Sequence, residues 1–237
     1  MNSEANRVKT LENWYVNRQL DFDKRLIRFR YESLKPYFVG NSCLELGPAE
    51  GEMTKYLVED FASITVVEGS KRLLDLMPEY QNVQKVHSLF EDFTPSKLYD
   101  TIILEHILEH VEDPVELINR VKDFLAPNGT LLLGVPNGDS FHRLVAVEMG
   151  LLDHQCQLNS RDISLGHRRV YTPTTFRSDI ERTGLKISKL GGVFFKPLSN
   201  KQIQENWDNE MIQGFFELGK LFGDNAAEIY AVCNCHE

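Results

Sequence analysis

Cysteine is scarce in this chain. Four occur in 237 residues, Cys43, Cys156, Cys233 and Cys235. They form no disulfide framework, so a cross-linked secreted scaffold is excluded and a reducing cytoplasm is expected. No apolar run is long enough to span a bilayer, and residues 1–10 are polar, without the apolar core of a signal peptide. Base is short as well. Lys and Arg number 26 against 35 Asp and Glu, a formal charge of −9, which disfavours nucleic acid as a partner. Internal repeats and low-complexity tracts are missing. Glycine is sparse where a dinucleotide turn would need it. The turn after residues 42–46 carries Gly47, Ala49 and Gly51, one position short of G-x-G-x-x-G, with Glu52 in place of the third glycine.

What is present fits one α/β enzyme domain. Hydrophobic residues make up 42% and charged residues 26%, ordinary for a globular chain that can bury a core. The run Cys43-Leu44-Glu45-Leu46 reads as a strand, Gly47 to Gly51 as a tight turn, and residues 53–61 as a helix whose N-terminus presents backbone N–H groups. Glu45 and Glu50 beside that turn repel a phosphate and suit a ligand carrying positive charge. Residues 63–67 form a β-branched strand ending in Glu68, about 20 residues past the glycine turn, where an acid accepts from ribose hydroxyls. Gly69 follows, and Ser70 is placed to cap a helix over 71–77.

E-x-G-x-x-x-G after a strand resembles the first motif of class I S-adenosylmethionine-dependent methyltransferases, departing from it at Ala49, where that family has glycine. Later segments repeat the resemblance in order. Residues 83–87 read as a third strand. The Leu89-Phe90-Glu91-Asp92 turn after it matches the position that holds the adenine, with Leu89 and Phe90 flanking the ring and Glu91 or Asp92 accepting from its amino group. Residues 100–104 form a fourth strand, leading into Glu105-His106-Ile107-Leu108-Glu109-His110-Val111-Glu112-Asp113-Pro114, which resembles the LEHV-x-DP signature of small-molecule members. Pro114 opens an amphipathic helix over 115–125. Ala126-Pro127-Asn128-Gly129 breaks it before a fifth strand, 130–135, and Pro136-Asn137. The resemblance implies S-adenosylmethionine as cofactor, held by Glu45, Gly47, Ala49, Gly51, Glu68, Gly69, Leu89, Phe90, Glu91, Glu105 and His106.

The same segment contains H-x-x-E-H, a zinc-protease pattern that needs both histidines on one helix face. His106 falls at a strand end and His110 beyond a turn, so no metal is expected there. Cys233-Asn234-Cys235-His236 is too tightly spaced and lacks a second ligand pair; it reads as an edge strand entering the tail.

The acceptor should meet two other regions. Trp14, Phe22, Leu26, Phe29 and Leu34 recur at helical spacing in residues 11–38, an amphipathic cap. Residues 138–172 form a long insertion after the fifth strand, at the carboxyl edge where open α/β sheets bind ligands. It carries His142 and Arg143, then Gly166-His167-Arg168-Arg169-Val170-Tyr171-Thr172, similar to a GH-x-R-x-Y-[ST] element of bacterial methyltransferases. His167 or His142 is the expected proton acceptor. Arg143, Arg168, Arg169 and Tyr171 are the expected acceptor-binding residues. Residues 174–183 then form a helix, 185–190 a strand, 201–222 one helix with Trp207, Met211, Phe215, Phe216 and Leu218 at core spacing, and 227–233 the last strand.

The expected architecture is therefore α/β, a Rossmann-like seven-stranded methyltransferase sheet with helices on both faces. The division is one domain over 1–237, with a helical cap (1–38), a cofactor half (39–137), a lid insertion (138–172) and the rest of the sheet (173–237). The expected activity is methyl transfer to an O or N atom of a small molecule, with a sugar or glycan precursor among the acceptors; no nucleic acid or membrane partner is implied. The rival enzyme, a nicotinamide-dependent oxidoreductase, is disfavoured by the glycine spacing. A non-catalytic cofactor-binding scaffold would have a lid without titratable groups, unlike this one.

Overall fold

The computed structural model describes Glu12 and residues 21–234. Trp14, Cys235 and His236 lie outside the described residues. A helix α1 (Asp21–Leu34) precedes β1 (Ser42–Leu46), α2 (Thr54–Leu57), β2 (Ser63–Glu68), α3 (Lys71–Leu76), β3 (Val83–His87) and β4 (Tyr99–Glu105). There follow α4 (Pro114–Lys122), β5 (Leu125–Pro136), α5 (Phe141–Glu148), α6 (Ser160–Ser164), α7 (Pro173–Glu181), β6 (Lys186–Val193), α8 (Asn200–Asn206), α9 (Asn209–Leu221) and β7 (Glu228–Asn234).

The seven strands form one sheet in the order β3-β2-β1-β4-β5-β7-β6, and only β7 runs antiparallel to its neighbours. Central strands are apolar on both faces because helices cover both. Alternation along β4 and β5 shows the two layers. Ile102, Leu104, Leu131 and Leu133 pack under Leu117, Ile118, Phe176 and Ile180 of α4 and α7. Ile103 and Leu132 face the opposite way, toward Phe22, Leu26 and Phe29 of α1 and Phe216 of α9.

Strand order reverses direction between β1 and β4, which pair in parallel at the sheet's centre. The loops leaving their carboxyl ends diverge there and open a crevice. Those loops begin at Gly47 and His106, the two segments whose motifs the sequence singles out.

Local chemistry sets several boundaries. The Ser70 hydroxyl accepts from the Leu73 N–H, capping α3 as expected, and Asp113 does the same for α4 through Glu116 N–H. Three expectations change. The helix after the glycine turn is a single turn, Thr54–Leu57, not 53–61. The 126–129 break lies inside β5, where the register to β4 shifts and Asn128 takes a φ of 64°. The helix expected over 201–222 is two, α8 and α9, because Trp207 is extended and the Asp208 carboxylate caps α9 by accepting from Met211 N–H. That restart changes the phase of the apolar face. Met211 is 46% exposed, while Ile212 and Phe216 are buried.

The insertion is closed at its base. Asn137 bridges Tyr171, and Gly138 N–H donates to the Tyr171 carbonyl at 2.6 Å. The Asn137 amide donates to the carbonyls of Asp224 (2.8 Å) and Ala226 (2.9 Å), tying the insertion to the start of β7.

Candidate active site

Two cavities open at the carboxyl edge of the sheet. The narrower, about 90 Å³, is lined by Gly47, Ala49, Glu68, Gly69, Leu89, Phe90, Glu91 and Val111, among others. The wider, about 370 Å³, runs between α1, the insertion and the strand ends. Gly47, Ala49, His106 and His110 line both, so the cavities meet over the crevice.

Backbone geometry builds the narrow cavity. Gly47 (φ 68°) and Gly51 (φ 85°) occupy the left-handed region. A Cβ on Gly47 would lie 2.3 Å from Ile107 Cδ1, so a side chain there would crowd the other wall of the crevice. Ala49 also has positive φ, 50°, the strain that a glycine would avoid. Glu68, at the end of β2, is buried and accepts from Ala49 N–H (3.1 Å) and Ser70 N–H (2.8 Å). Burial raises its carboxyl pKa, and these backbone donors pull against that rise. Each oxygen retains a lone pair for a ligand hydroxyl. Glu91 is exposed at the rim, and Asp92 does not line the cavity.

Below the junction lies a buried charge network. Glu45 of β1 accepts from the Thr54 hydroxyl at 2.6 Å, and burial pushes its carboxyl up to about 7. Arg30 of α1 stands 3.2 Å from Glu228 and 3.8 Å from Glu105. Burial pushes Glu105 up to about 8, against the pull of Arg30. Burial also acts on Glu228, but Arg30 and His106 outweigh it and hold that carboxyl at about 2. Lys196, held by the Asn200 amide oxygen at 2.9 Å, is brought down to about 8, chiefly by burial. Arg30, Glu228 and Lys196 escape sequence reasoning because no local motif marks them. Glu228 could have been found from topology. It opens an antiparallel strand, so it stands opposite Pro136 and Val193, where β5 and β6 end.

The insertion residues divide. His142 and His167 both line the wide cavity. Burial, then the charges of Lys196 and Arg143, hold His142 down at about 2, so it stays neutral. His167 Nδ1 lies 3.3 Å from Asp162 Oδ1. Asp162 is itself held at about 2, its burial outweighed by His167, the Asn159 N–H and Arg143.

The arginines are spent largely on protein. Arg143 is buried and donates to the Gln155 carbonyl (2.7 Å), to Asp162 (3.0 Å) and to the Gln157 carbonyl. Arg168 Nε donates to the His110 carbonyl at 2.8 Å. Arg169 donates to the carbonyls of Leu108, Val111 and Glu112 at 2.6–2.8 Å. Tyr171, expected at the acceptor, sits instead in the core, its hydroxyl on Asp179 at 3.0 Å and outside both cavities. The bridge from Asn137 to Tyr171 turns it inward.

An open sheet with this strand order, a glycine turn over its switch point and an acid ending the second strand is the frame of an S-adenosylmethionine-dependent methyltransferase. The methyltransferase-domain family matches residues 17–190, and the chain belongs to that family. It is 25% identical over 128 residues to a malonyl-[acyl-carrier protein] O-methyltransferase from Halalkalibacterium halodurans, covering 47% of each chain. This chain thus spans about half the length of that relative. It is 23% identical over 192 residues to a ubiquinone biosynthesis O-methyltransferase from Xanthomonas euvesicatoria, covering 74% of this chain and 75% of that one. In fold it is similar to the N-methyltransferase NodS from Bradyrhizobium japonicum, solved with S-adenosyl-L-homocysteine. That match has a TM-score of 0.61 at 16% identity and covers 98% of this chain and 100% of that one.

The family is that of the class I S-adenosylmethionine-dependent methyltransferases. The residues present fit that cofactor. The narrow cavity offers a carboxylate for ribose and apolar walls at Leu89 and Phe90. Glu45, buried at the edge of the wide cavity, accepts from the Thr54 hydroxyl and, among the described residues, forms no ion pair with a cationic side chain, which suits an ammonium. Among the described residues no helix is long and apolar enough to cross a membrane.

Proposed function

We propose that this enzyme methylates an oxygen or nitrogen of a small polar acceptor bound in the wide cavity. The observation that carries this reading is the meeting of the two cavities at Gly47, Ala49, His106 and His110. Glu68 would hold the ribose, Leu89 and Phe90 the adenine, and Glu45 the ammonium. Held by these residues, S-adenosylmethionine would supply an electrophilic methyl group for the acceptor's lone pair.

The chain's own contribution is mainly alignment, worth several orders of magnitude when reacting atoms are held in line. Arg30, Glu105, Glu228 and Lys196 give the wide cavity a polar wall suited to a hydroxyl-rich acceptor such as a sugar or glycan precursor. Two of the relatives are O-methyltransferases by name and NodS is an N-methyltransferase, in keeping with an oxygen or nitrogen acceptor atom. Arg143 and Arg169 brace the insertion and the 108–112 turn, so their role is positioning. Of the two histidines, His167 is the one oriented for chemistry: an Nδ1–H toward Asp162 leaves the lone pair on Nε2. His142, held neutral and weakly basic, accepts a hydrogen bond from the acceptor. We place the reaction in the cytoplasm, consistent with free thiols at Cys43, Cys156 and Cys233.

Calorimetry with S-adenosylhomocysteine and NADH tests the cofactor assignment. The first should bind and the second should not; the reverse would overturn it. A panel of sugars, phenols and amines with labelled S-adenosylmethionine then identifies the acceptor, and labelling of macromolecules alone would refute the small-molecule reading.

A further inference from the structure

Glu109 does not line the narrow cavity, yet it is only 1% exposed and, among the described residues, neither of its carboxylate oxygens accepts a hydrogen bond. An ionised carboxylate buried without donors is costly, and such a group calls for a positive partner. Around it stand imidazoles. His106 Nδ1 is 3.4 Å and His110 Nε2 4.0 Å from Glu109 Oε1. From the insertion comes His167, its ring edge-to-face with that of His110 at 4.8 Å between centroids. One donor atom each from Glu109, His110 and His167 lie within 4.8 Å of one another.

We propose that Glu109, His110 and His167 form a binding site for a divalent transition-metal ion, manganese or zinc, at the junction of the two cavities. Three features beyond proximity point to it. First, Asp162 on His167 Nδ1 leaves Nε2 as the ligand atom, the carboxylate–histidine arrangement that orients metal-binding imidazoles. Second, the two segments that carry the ligands are stitched together. Arg168 N–H donates to the Glu109 carbonyl and its guanidinium to the His110 carbonyl, both at 2.8 Å. Third, one carboxylate and two imidazoles leave coordination positions open for water and an acceptor oxygen, and that donor set suits manganese or zinc better than magnesium. Side-chain rotations of about 1 Å would bring the donors onto one ion at the ~2.0–2.2 Å such bonds need.

This ligand set differs from the H-x-x-E-H pattern. Residues 106–110 form a turn and not a helix, so the second histidine comes from the insertion, and the proposed site departs from the expectation of no metal. The role inferred rests on the methyl-transfer reading. A metal-bound acceptor hydroxyl would lose its proton to solvent water, and its oxygen would then form the bond to the methyl carbon as the carbon–sulfur pair returns to sulfur.

The test begins with metal-stripped full-length protein and Mn²⁺ alone, followed by electron paramagnetic resonance. About one equivalent of Mn²⁺ should lose its free-ion signal, and Zn²⁺ should displace it. Glu109→Gln and His167→Gln should each weaken Mn²⁺ binding tenfold or more, while S-adenosylhomocysteine affinity stays at the wild-type level. Without metal, Glu109→Gln should melt at or above the wild-type temperature, because the buried carboxylate then has no cation to hold. Absence of stoichiometric binding, or binding untouched by Glu109→Gln, would overturn the site. So would full turnover in chelator combined with its loss in His167→Ala, which would make His167 a base. Failure to bind S-adenosylhomocysteine would instead refute the cofactor reading.

Discussion

The cofactor half and the insertion use the same kinds of polar residue in opposite ways. In the cofactor half, side chains serve short local geometry. Glu68 caps backbone N–H groups at Ala49 and Ser70, and Gly47 and Gly51 shape one turn. In the insertion, charged side chains reach across the chain. Arg143 gathers the carbonyls of Gln155 and Gln157, and Arg169 holds three carbonyls of the turn after β4. A ligand pocket made of turns keeps its charges for the ligand. A pocket wall made of a long insertion with two short helices uses its arginines to hold itself together.

The largest test of that contrast is Arg143→Ala. Removing one partner of a buried pair costs about 3–5 kcal/mol, and here it leaves Asp162 without its arginine. Proteolysis between residues 150 and 160 should accelerate sharply while S-adenosylhomocysteine affinity stays within twofold. Arg143→Lys should not rescue it, because lysine lacks the fork. Loss of cofactor affinity would mean the two halves are not separable.

Next is Glu68→Ala, which removes charge-assisted hydrogen bonds worth roughly 1.5–3 kcal/mol and should weaken S-adenosylhomocysteine binding on the order of tenfold to a hundredfold. The sequence alone suggests little change in the melting temperature of the free protein. The structure adds two backbone donors that depend on this carboxylate, so Tm should fall by about 4–8 °C for a loss of ~2 kcal/mol. An unchanged Tm would show that water replaces the carboxylate freely.

A smaller effect concerns pH. Glu45 titrates near 7 when folded against its ordinary 4.5, so the folded state holds an extra proton between those values. Ligand-free stability should therefore fall as pH rises through that window, the cost being complete above about 7. Glu45→Gln should remove that slope, with Tm above wild type at pH 8 and the gain shrinking toward pH 4.5. A ligand ammonium favours the ionised form, so S-adenosylhomocysteine affinity should rise with pH to about 7 in the wild type and stay flat in the variant. Parallel profiles would move the ammonium elsewhere.

The smallest is Ala49→Gly. Alanine at a φ of 50° carries strain of about 1 kcal/mol, partly offset by the greater unfolded-state entropy of glycine. The variant should match or slightly exceed wild-type stability and bind cofactor at least as tightly. A loss in both would show that the methyl packs against the ligand.

Sequence by itself determined the strands of the cofactor half and the motifs at their ends. Residues 42–46, 63–68 and 83–87 are local runs whose period and end residues place Gly47, Glu68 and Leu89 without knowledge of any distant contact. Tertiary structure alone decided the rest. The fates of Arg143, Arg169 and Tyr171 depend on partners far along the chain or on the closure of a loop, and no spacing rule encodes them. The antiparallel sense of β7 set Glu228 at the site. The gathering of Glu109, His110 and His167 required a strand-end turn and a loop about 57 residues later to meet. Local periodicity reports which face of an element is apolar. It carries no information on which distant carbonyl a guanidinium will find, because that is fixed only when the chain has packed.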